Sequence, residues 1–263
     1  MMTKVVIITG ASSGIGLSTA QLLQDKGFIV YNFSRREAAN EQFKSISVDV
    51  TNENNIIEAL NEVYKREKRV DIVINNAGFG ISGSAEDSNP VDVNRLFDVN
   101  FNGVFLMCKH VIPLMRKKGS GKIINISSMA AEFPIPFQSF YSASKSAISS
   151  FTYSLANEVN PFGIKVSLVI PGDIKTSFTS NRRKNISNNS AYKDRIFKSI
   201  NTMELDEQNG MDAKIIANLI YKIINSKNPP LQKTAGLKYK LFLILKRVVP
   251  RKFLNYILGK IYG

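Results

Sequence analysis

The 263-residue chain contains one cysteine, one histidine and no tryptophan, and no acidic residue follows Asp212. A single cysteine excludes a disulfide framework and a thiolate metal cluster, and it fits a reducing compartment. Cys108 and His110 fall two residues apart inside the apolar-periodic stretch 104–115, where they read as helix packing, not as a nucleophile and its base. No metal site is expected. Uninterrupted apolar runs stay short of the ~18 residues a spanning helix needs. The opening Met1-Met-Thr-Lys4 leads directly into Val5-Val-Ile-Ile8, without the pattern of a secretory leader. The expected location is cytoplasmic.

The scarcity of acids is local. Of the formal charge of +14, eleven Lys and Arg with no Asp or Glu lie in residues 213–263, leaving about +3 for the rest. These basic residues alternate with Leu, Ile, Phe and Val, which describes an amphipathic surface better than a polyanion-binding arm. Nucleic acid is therefore not an expected partner.

With 44% apolar residues and sixteen glycines, the chain has enough apolar material for one large α/β core. Short β-branched runs at 5–9, 29–34, 45–50, 71–75, 122–125 and 165–170 read as strands, and the stretches 15–26, 53–66, 91–117 and 142–159 read as helices. Continuous apolar strands alternating with helices predict a Rossmann-like, doubly wound parallel sheet in a three-layer α/β/α single domain. Residues 1–236 are assigned to this domain, including a substrate loop at 176–210, and 237–263 to a basic amphipathic extension. The Ser-, Asn-, Lys- and Arg-rich stretch 176–209 reads as a mobile insertion.

Two local patterns carry chemistry. Thr9-Gly-Ala-Ser-Ser-Gly-Ile-Gly16 stands where the first strand hands over to the first helix. Its glycines allow tight turning and let a pyrophosphate approach the helix N-terminus. The spacing G-x-x-x-G-x-G departs from G-x-G-x-x-G, and a plain flexible turn would also account for it. In Phe140-Tyr-Ser-Ala-Ser-Lys145 a helix would place the Tyr141 phenol and the Lys145 ammonium on one face. A nearby cation favours the phenolate and moves its pKa towards the working range. Taken alone, such a pair equally describes a solvated helix face.

Joined in order along the chain, these motifs resemble the short-chain dehydrogenases/reductases. The matching residues are Thr9 to Gly16, Asp49, Asn75-Asn-Ala-Gly78, Asn100, Ser128 thirteen residues before Tyr141, Lys145, and Pro171-Gly172. The resemblance spans about residues 4–225. It implies an oxidoreductase in which Ser128 bonds the substrate oxygen, Tyr141 gives or takes the proton, Lys145 lowers the phenol pKa and holds the cofactor ribose, and Asn100 positions a water. It also implies cofactor contacts at Gly10, Ser12, Ser13, Gly14, Ile15 and Gly16, and at Ser34, Arg35 and Arg36. Further contacts fall at Asp49, Val50, Asn76, Ala77, Gly78, Tyr141, Lys145, Pro171, Gly172, Ile174 and Thr176. Asp49 is equally suited to capping the next helix with Thr51 and Asn52.

In the NAD-preferring pattern of this family an acid closes the second strand. Here Ser34 stands there, followed by Arg35 and Arg36, whose guanidinium groups suit a 2′-phosphate. The expected cofactor is NADP(H) in preference to NAD(H), and the expected reaction interconverts a secondary alcohol and a ketone. The resemblance further implies a homodimer or homotetramer acting on a small-molecule alcohol or ketone. An apolar, steroid- or lipid-like substrate is expected from the tail, which takes the place of the glycine-rich ending common in relatives. A polar acyl or sugar-type carbonyl, or a non-catalytic dinucleotide-binding regulator, is the alternative. Three placements are open to the tail itself: a lid or dimer-packing helix, a peripheral contact with a membrane, or a nucleic-acid arm.

Overall fold

The computed structural model describes residues 3–36, 43–186 and 191–263. Strand β1 (Val5–Thr9) is buried at every position and leads through the glycine turn into α1 (Gly14–Asp25). Next come β2 (Ile29–Ser34), β3 (Lys44–Ser47) and α2 (Glu53–Glu67). Residues 48–50, expected within the third strand, instead leave the sheet and turn towards α2, whose N-cap Asn52 accepts from the Asn55 amide at 3.2 Å. Strand β4 (Ile72–Asn75) and the short β5 (Ile81–Gly83) follow.

The stretch 91–117, expected as one helix, is broken. It comprises α3 (Pro90–Phe97), a π-turn over Asp98–Asn102 and α4 (Gly103–Lys118). A π-turn inserts one extra residue per turn and rotates a side chain away from its helical position. Here that residue is Asn100, which is fully buried. Apolar periodicity continues through the break, so the sequence pattern carries no sign of it.

The chain then runs through β6 (Gly121–Ile126), α5 (Met129–Glu132), α6 (Ser139–Val159), β7 (Ile164–Val169), β8 (Ile174–Lys175) and β9 (Arg183–Asn185). After these stand α7 (Lys193–Gln208), β10 (Met211–Asp212), α8 (Ala213–Asn225), β11 (Gln232–Lys233), α9 (Leu237–Val248) and α10 (Arg251–Tyr262). The mobile insertion expected at 176–209 is thus corrected: apart from 187–190, which lie outside the described residues, it holds a strand and a four-turn helix. The helix forms because Ile196, Ile200 and Met203, at i, i+4 and i+7, are buried against Phe137, Tyr192 and Tyr262.

Seven parallel strands form the central sheet in the order β11-β7-β6-β4-β1-β2-β3. The chain winds outward from β1 through β2 to β3 and then returns to β4 on the other side, so the switch point lies between β1 and β4. One face packs α1 and α8 through Ala20, Leu23, Ile216 and Ile220; the other packs α2, α4 and α6 through Ile56, Met107 and Ile148. In such sheets the crevice beyond the carboxyl ends at the switch point receives the ligand.

Candidate active site

At that crevice the turn after β1 is shaped by glycine. Gly10 and Gly14 adopt φ of +70° and +56°, a region costly for any residue with a Cβ. A Cβ on Gly16 would stand 2.5 Å from both Asn76 Nδ2 and Gly10 O. The turn is clamped from the neighbouring strand. Thr9 Oγ1 accepts from the Asn76 and Ala77 amides at 3.0 Å each, and Asn76 Nδ2 donates to Thr9 O and Gly10 O at 3.0 and 3.1 Å. From the other side, Asn32 Oδ1 accepts from the Ala11 amide at 3.0 Å and the Ser34 hydroxyl at 2.6 Å. The N-cap Ser13 makes no side-chain capping bond, and the first turn of α1 holds no acid. A backbone brought this close to a helix N-terminus fits the pyrophosphate of a dinucleotide.

Arg35 and Arg36 are exposed at the end of β2. Burial pushes the Asp49 carboxyl up, but the bonds from the Thr51 amide (3.0 Å) and hydroxyl (2.8 Å) outweigh it. Together with the charges of Arg35 and Arg95 they hold Asp49 below the usual carboxylate range. Val50 is buried and lies against Gly103, where a Cβ would meet it at 2.9 Å. Asn75 ties two strands together, donating to Asn125 Oδ1 at 2.8 Å.

A cavity of about 550 Å³ runs from this turn to the C-terminal helices. Ile15, Asn76, Gly78, Pro171, Gly172, Ile174 and Thr176 line its end nearest the glycine turn, and Ser128, Tyr141 and Lys145 stand together within it. Gly10, Ser12, Ser13, Gly14, Gly16, Ser34, Arg35, Arg36, Asp49, Val50, Ala77 and Asn100 do not line it. Ser128 caps α5, accepting from the Ala130 amide at 3.1 Å. Tyr141 stacks obliquely on Phe178, with ring centroids 5.6 Å apart. Lys145 Nζ, 5.9 Å from the Tyr141 ring centroid, donates to Ile126 O at 3.0 Å.

Asn100 Oδ1 accepts from the Phe79 amide, and its Nδ2 donates to Phe79 O, at 3.0 Å each; Nδ2 also reaches Ser144 Oγ at 3.1 Å. A Cβ on Gly78 would lie 3.0 Å from Asn100 Oδ1 and 3.4 Å from Lys145 Nζ, so both groups converge where this glycine leaves room.

Burial governs the electrostatics of this cluster. It pushes the Tyr141 phenol up to about 12, against a downward pull from the Ser128 hydrogen bond, and it lowers Lys145 from its ordinary 10.5 to about 8. The ammonium is expected from the sequence to draw the phenol down; in this structure burial dominates, opposed by Ser128 and Arg182. Glu207 raises the phenol and Arg182 lowers it. These two groups form an ion pair with each other, and Glu207 also accepts from Thr179 Oγ1 at 2.6 Å.

The sequence offers the tail as a lid and 176–210 as a substrate loop, but singles out none of the individual residues of the cavity's apolar wall. Phe133, Ile135, Phe178, Met203 and Phe242 contribute to it, joined by Leu245, Leu254, Ile257, Leu258 and Ile261 from α9 and α10. The tail is fastened by Tyr239, whose hydroxyl donates to Asp173 Oδ2 at 2.7 Å and accepts from the Asp173 amide at 2.9 Å. Its ring occupies the space a side chain on Gly172 would need, 2.2–2.4 Å from such a Cβ. The repeat Tyr239, Leu243, Lys246 was the available signal, but α9 is apolar on two sides and periodicity cannot choose between them. Cys108 and His110 stand apart from the cavity: burial raises the thiol to about 12, and His110 Nε2 lies 2.7 Å from Glu53 Oε1.

The short chain dehydrogenase family profile matches residues 4–187. A 3-ketodihydrosphingosine reductase from Bacteroides thetaiotaomicron is 42% identical over 100% of this chain and 99% of its own. A crystal structure of a short-chain dehydrogenase from Streptomyces avermitilis, 30% identical, superimposes with a TM-score of 0.83 over 94% of this chain and 93% of that one. Two further solved structures carry nucleotides. A 3-ketoacyl-(acyl-carrier-protein) reductase from Brucella melitensis is complexed with NADH (25% identity, TM-score 0.73, 89% of this chain and 97% of that one). The protein ElxO has NADP bound (26%, 0.72, 90% and 100%). The strand order, the glycine turn and the profile match agree, and the chain belongs to the short-chain dehydrogenase/reductase family of oxidoreductases.

Proposed function

We propose that the enzyme reduces the ketone of a long-chain, lipid-like substrate to a secondary alcohol with NADPH, and that Tyr141 supplies the proton. The observation that carries this reading is the cavity of about 550 Å³, which passes Tyr141 and Ser128 and is walled beyond them mainly by apolar side chains of α9 and α10. An apolar wall favours an alkyl chain over a polar sugar. The name of the 42% identical relative, a 3-ketodihydrosphingosine reductase, points the same way.

The nicotinamide cofactor supplies a hydride to the carbonyl carbon when bound. The rest belongs to the chain. The turn Gly10 to Gly16 and the α1 N-terminus would receive the pyrophosphate, with Ser12, Ser13 and Ile15 around it. Arg35 and Arg36 would hold the 2′-phosphate beside Ser34, and Asp49, Val50, Asn76, Ala77 and Gly78 would border the adenosine. Pro171, Gly172, Ile174 and Thr176 would border the nicotinamide. Ser128 donates a hydrogen bond to the carbonyl oxygen as negative charge develops there, and Tyr141 transfers its hydroxyl proton to the same oxygen. Lys145, positively charged at neutral pH, stabilises the phenolate left behind and would hold the ribose hydroxyls. Asn100 fixes the Phe79 backbone beside that ammonium. A phenol at about 12 is fully protonated at pH 7, which prepares the free enzyme as a proton donor.

Steady-state reduction of ketones of increasing alkyl length, 3-ketodihydrosphingosine among them, tests the reading. The expected kcat/KM rises with chain length and is at least about tenfold higher with NADPH than with NADH; Arg35→Asp is expected to reverse that preference. No dependence on chain length would remove the lipid assignment, and equal efficiency with both nucleotides would remove the cofactor assignment.

The pH profile is a separate expected outcome. Since kcat/KM reports groups of the free enzyme, it should hold steady through neutrality and fall above pH 8, where Lys145 loses its proton first. Lys145→Met should show a low rate without that limb. For stability the sign is opposite. Between pH 8 and 10.5 the unfolded chain binds the proton more tightly than the folded one, so the cost of burying Lys145 is fully present below 8 and is relieved as pH rises.

A further inference from the structure

The fold leaves one apolar face of its last two helices uncovered among the described residues. On α9, Tyr239 and Leu243 pack inward against the core. Leu237, Leu241, Ile244 and Val248 follow at i, i+4, i+7 and i+11 on the other side, 83%, 57%, 60% and 75% exposed. On α10, Phe253 and Tyr256 are 56% and 61% exposed. Seven Lys and Arg and no Asp or Glu occur in these helices. Lys240 and Arg247 lie along one flank of the α9 stripe and Lys238 along the other, by their helical spacing.

We infer that α9 and α10 dock the enzyme on an anionic lipid bilayer, lying in the headgroup plane with this stripe buried below it. Six large apolar side chains exposed on two consecutive short helices are more than a water-facing surface ordinarily carries. The charges select the occupant. A second copy seated on the same face by two-fold symmetry would bring cations against cations, with no carboxylate in either tail to answer them. An anionic leaflet takes up the apolar stripe and attracts its basic flanks together. No helix among the described residues is long and apolar enough to cross a membrane, so the contact is with the surface.

Two other residues of the same helices reach both solvent and the cavity. Leu245 and Ile261 are 45% and 48% exposed, and both also line the cavity. Exposed side chains of the docking helices thus also reach the cavity. That a lipid-like ketone then enters from the leaflet rests on the function proposed above; the docking does not.

Sedimentation of the full chain with phosphatidylcholine vesicles, with and without phosphatidylglycerol, tests the inference. Binding is expected only with phosphatidylglycerol, weakening as salt is added. Ile244→Asp with Val248→Asp should lower the bound fraction roughly tenfold, and Lys240→Gln with Arg247→Gln severalfold. Neither pair lines the cavity, so melting temperature and turnover of a short soluble ketone should stay unchanged. Failure of the unaltered chain to bind anionic vesicles overturns the inference, as does undiminished binding by the aspartate pair. A vesicle-independent dimer that the aspartate pair dissolves would also overturn it, assigning the face to a second copy. A protein that binds vesicles yet ignores long-chain ketones would instead refute only the proposed substrate.

Discussion

Tyr141→Phe is expected to lower kcat by roughly 10²- to 10⁴-fold, the range for losing a positioned proton donor, while cofactor affinity stays within about twofold. The substitution removes one oxygen. The ring remains packed on Phe178 and the site remains buried, so the fold has no reason to change. What disappears is the phenol proton that the proposed mechanism delivers to the carbonyl. Lys145 has a pKa of about 8 and could give up a proton, but its nitrogen is held by Ile126 O, 5.9 Å from the Tyr141 ring centroid. It is not placed to substitute. Turnover measured with a long-chain ketone, together with nucleotide binding by fluorescence titration, decides the matter. A variant retaining more than about a tenth of the activity would sink the role given to Tyr141.

The second large effect concerns the tail. Tyr239→Ala is expected to destabilise the protein by roughly 3–5 kcal/mol, as large-to-small changes of buried aromatics do. That is a drop in melting temperature on the order of 10 °C for a chain of this size. Tyr239 is 7% exposed, belongs to the core cluster that contains α4 and α6, and holds Asp173 through two hydrogen bonds. Removing it empties the space over Gly172 and frees α9, so the KM for an apolar ketone should rise with the loss of stability. Tyr239→Phe separates the two contributions. It keeps the ring and removes the hydroxyl, leaving Asp173 short of a partner, and should cost only about 1–3 kcal/mol. Scanning calorimetry of both variants is the check; an unchanged melting temperature in Tyr239→Ala would show that the tail is not part of the core.

Much of the scaffold was legible before the coordinates. Strands 5–9 and 29–34 match β1 and β2 residue for residue, because a β-branched run bounded by glycine or by a helix start has no competing arrangement. The cofactor turn was legible for a similar reason: a left-handed backbone at Gly10 and Gly14 and a crowded Gly16 leave few alternatives to glycine. The break at Asn100 was not legible. Its buried amide is held by the Phe79 backbone and Ser144, which are remote in sequence. Helix α7 was missed because its few apolar positions are diluted by polar ones, and the surfaces that bury them, such as Phe137 and Tyr262, come from elsewhere in the chain.

The sequence singled out Ser128, Tyr141, Lys145 and the glycines of the first turn, through their joint resemblance to the family and not through any one motif. The tertiary structure decided how those groups are solvated. A phenol and an ammonium four residues apart look the same on any helix, and only the packing that buries them moves one to about 12 and the other to about 8. It also decided the two faces of α9. Both are apolar at helical spacing, and only the docking of Tyr239 into the core, a contact made across 66 residues of chain, turned one inward to wall the cavity and left the other facing out.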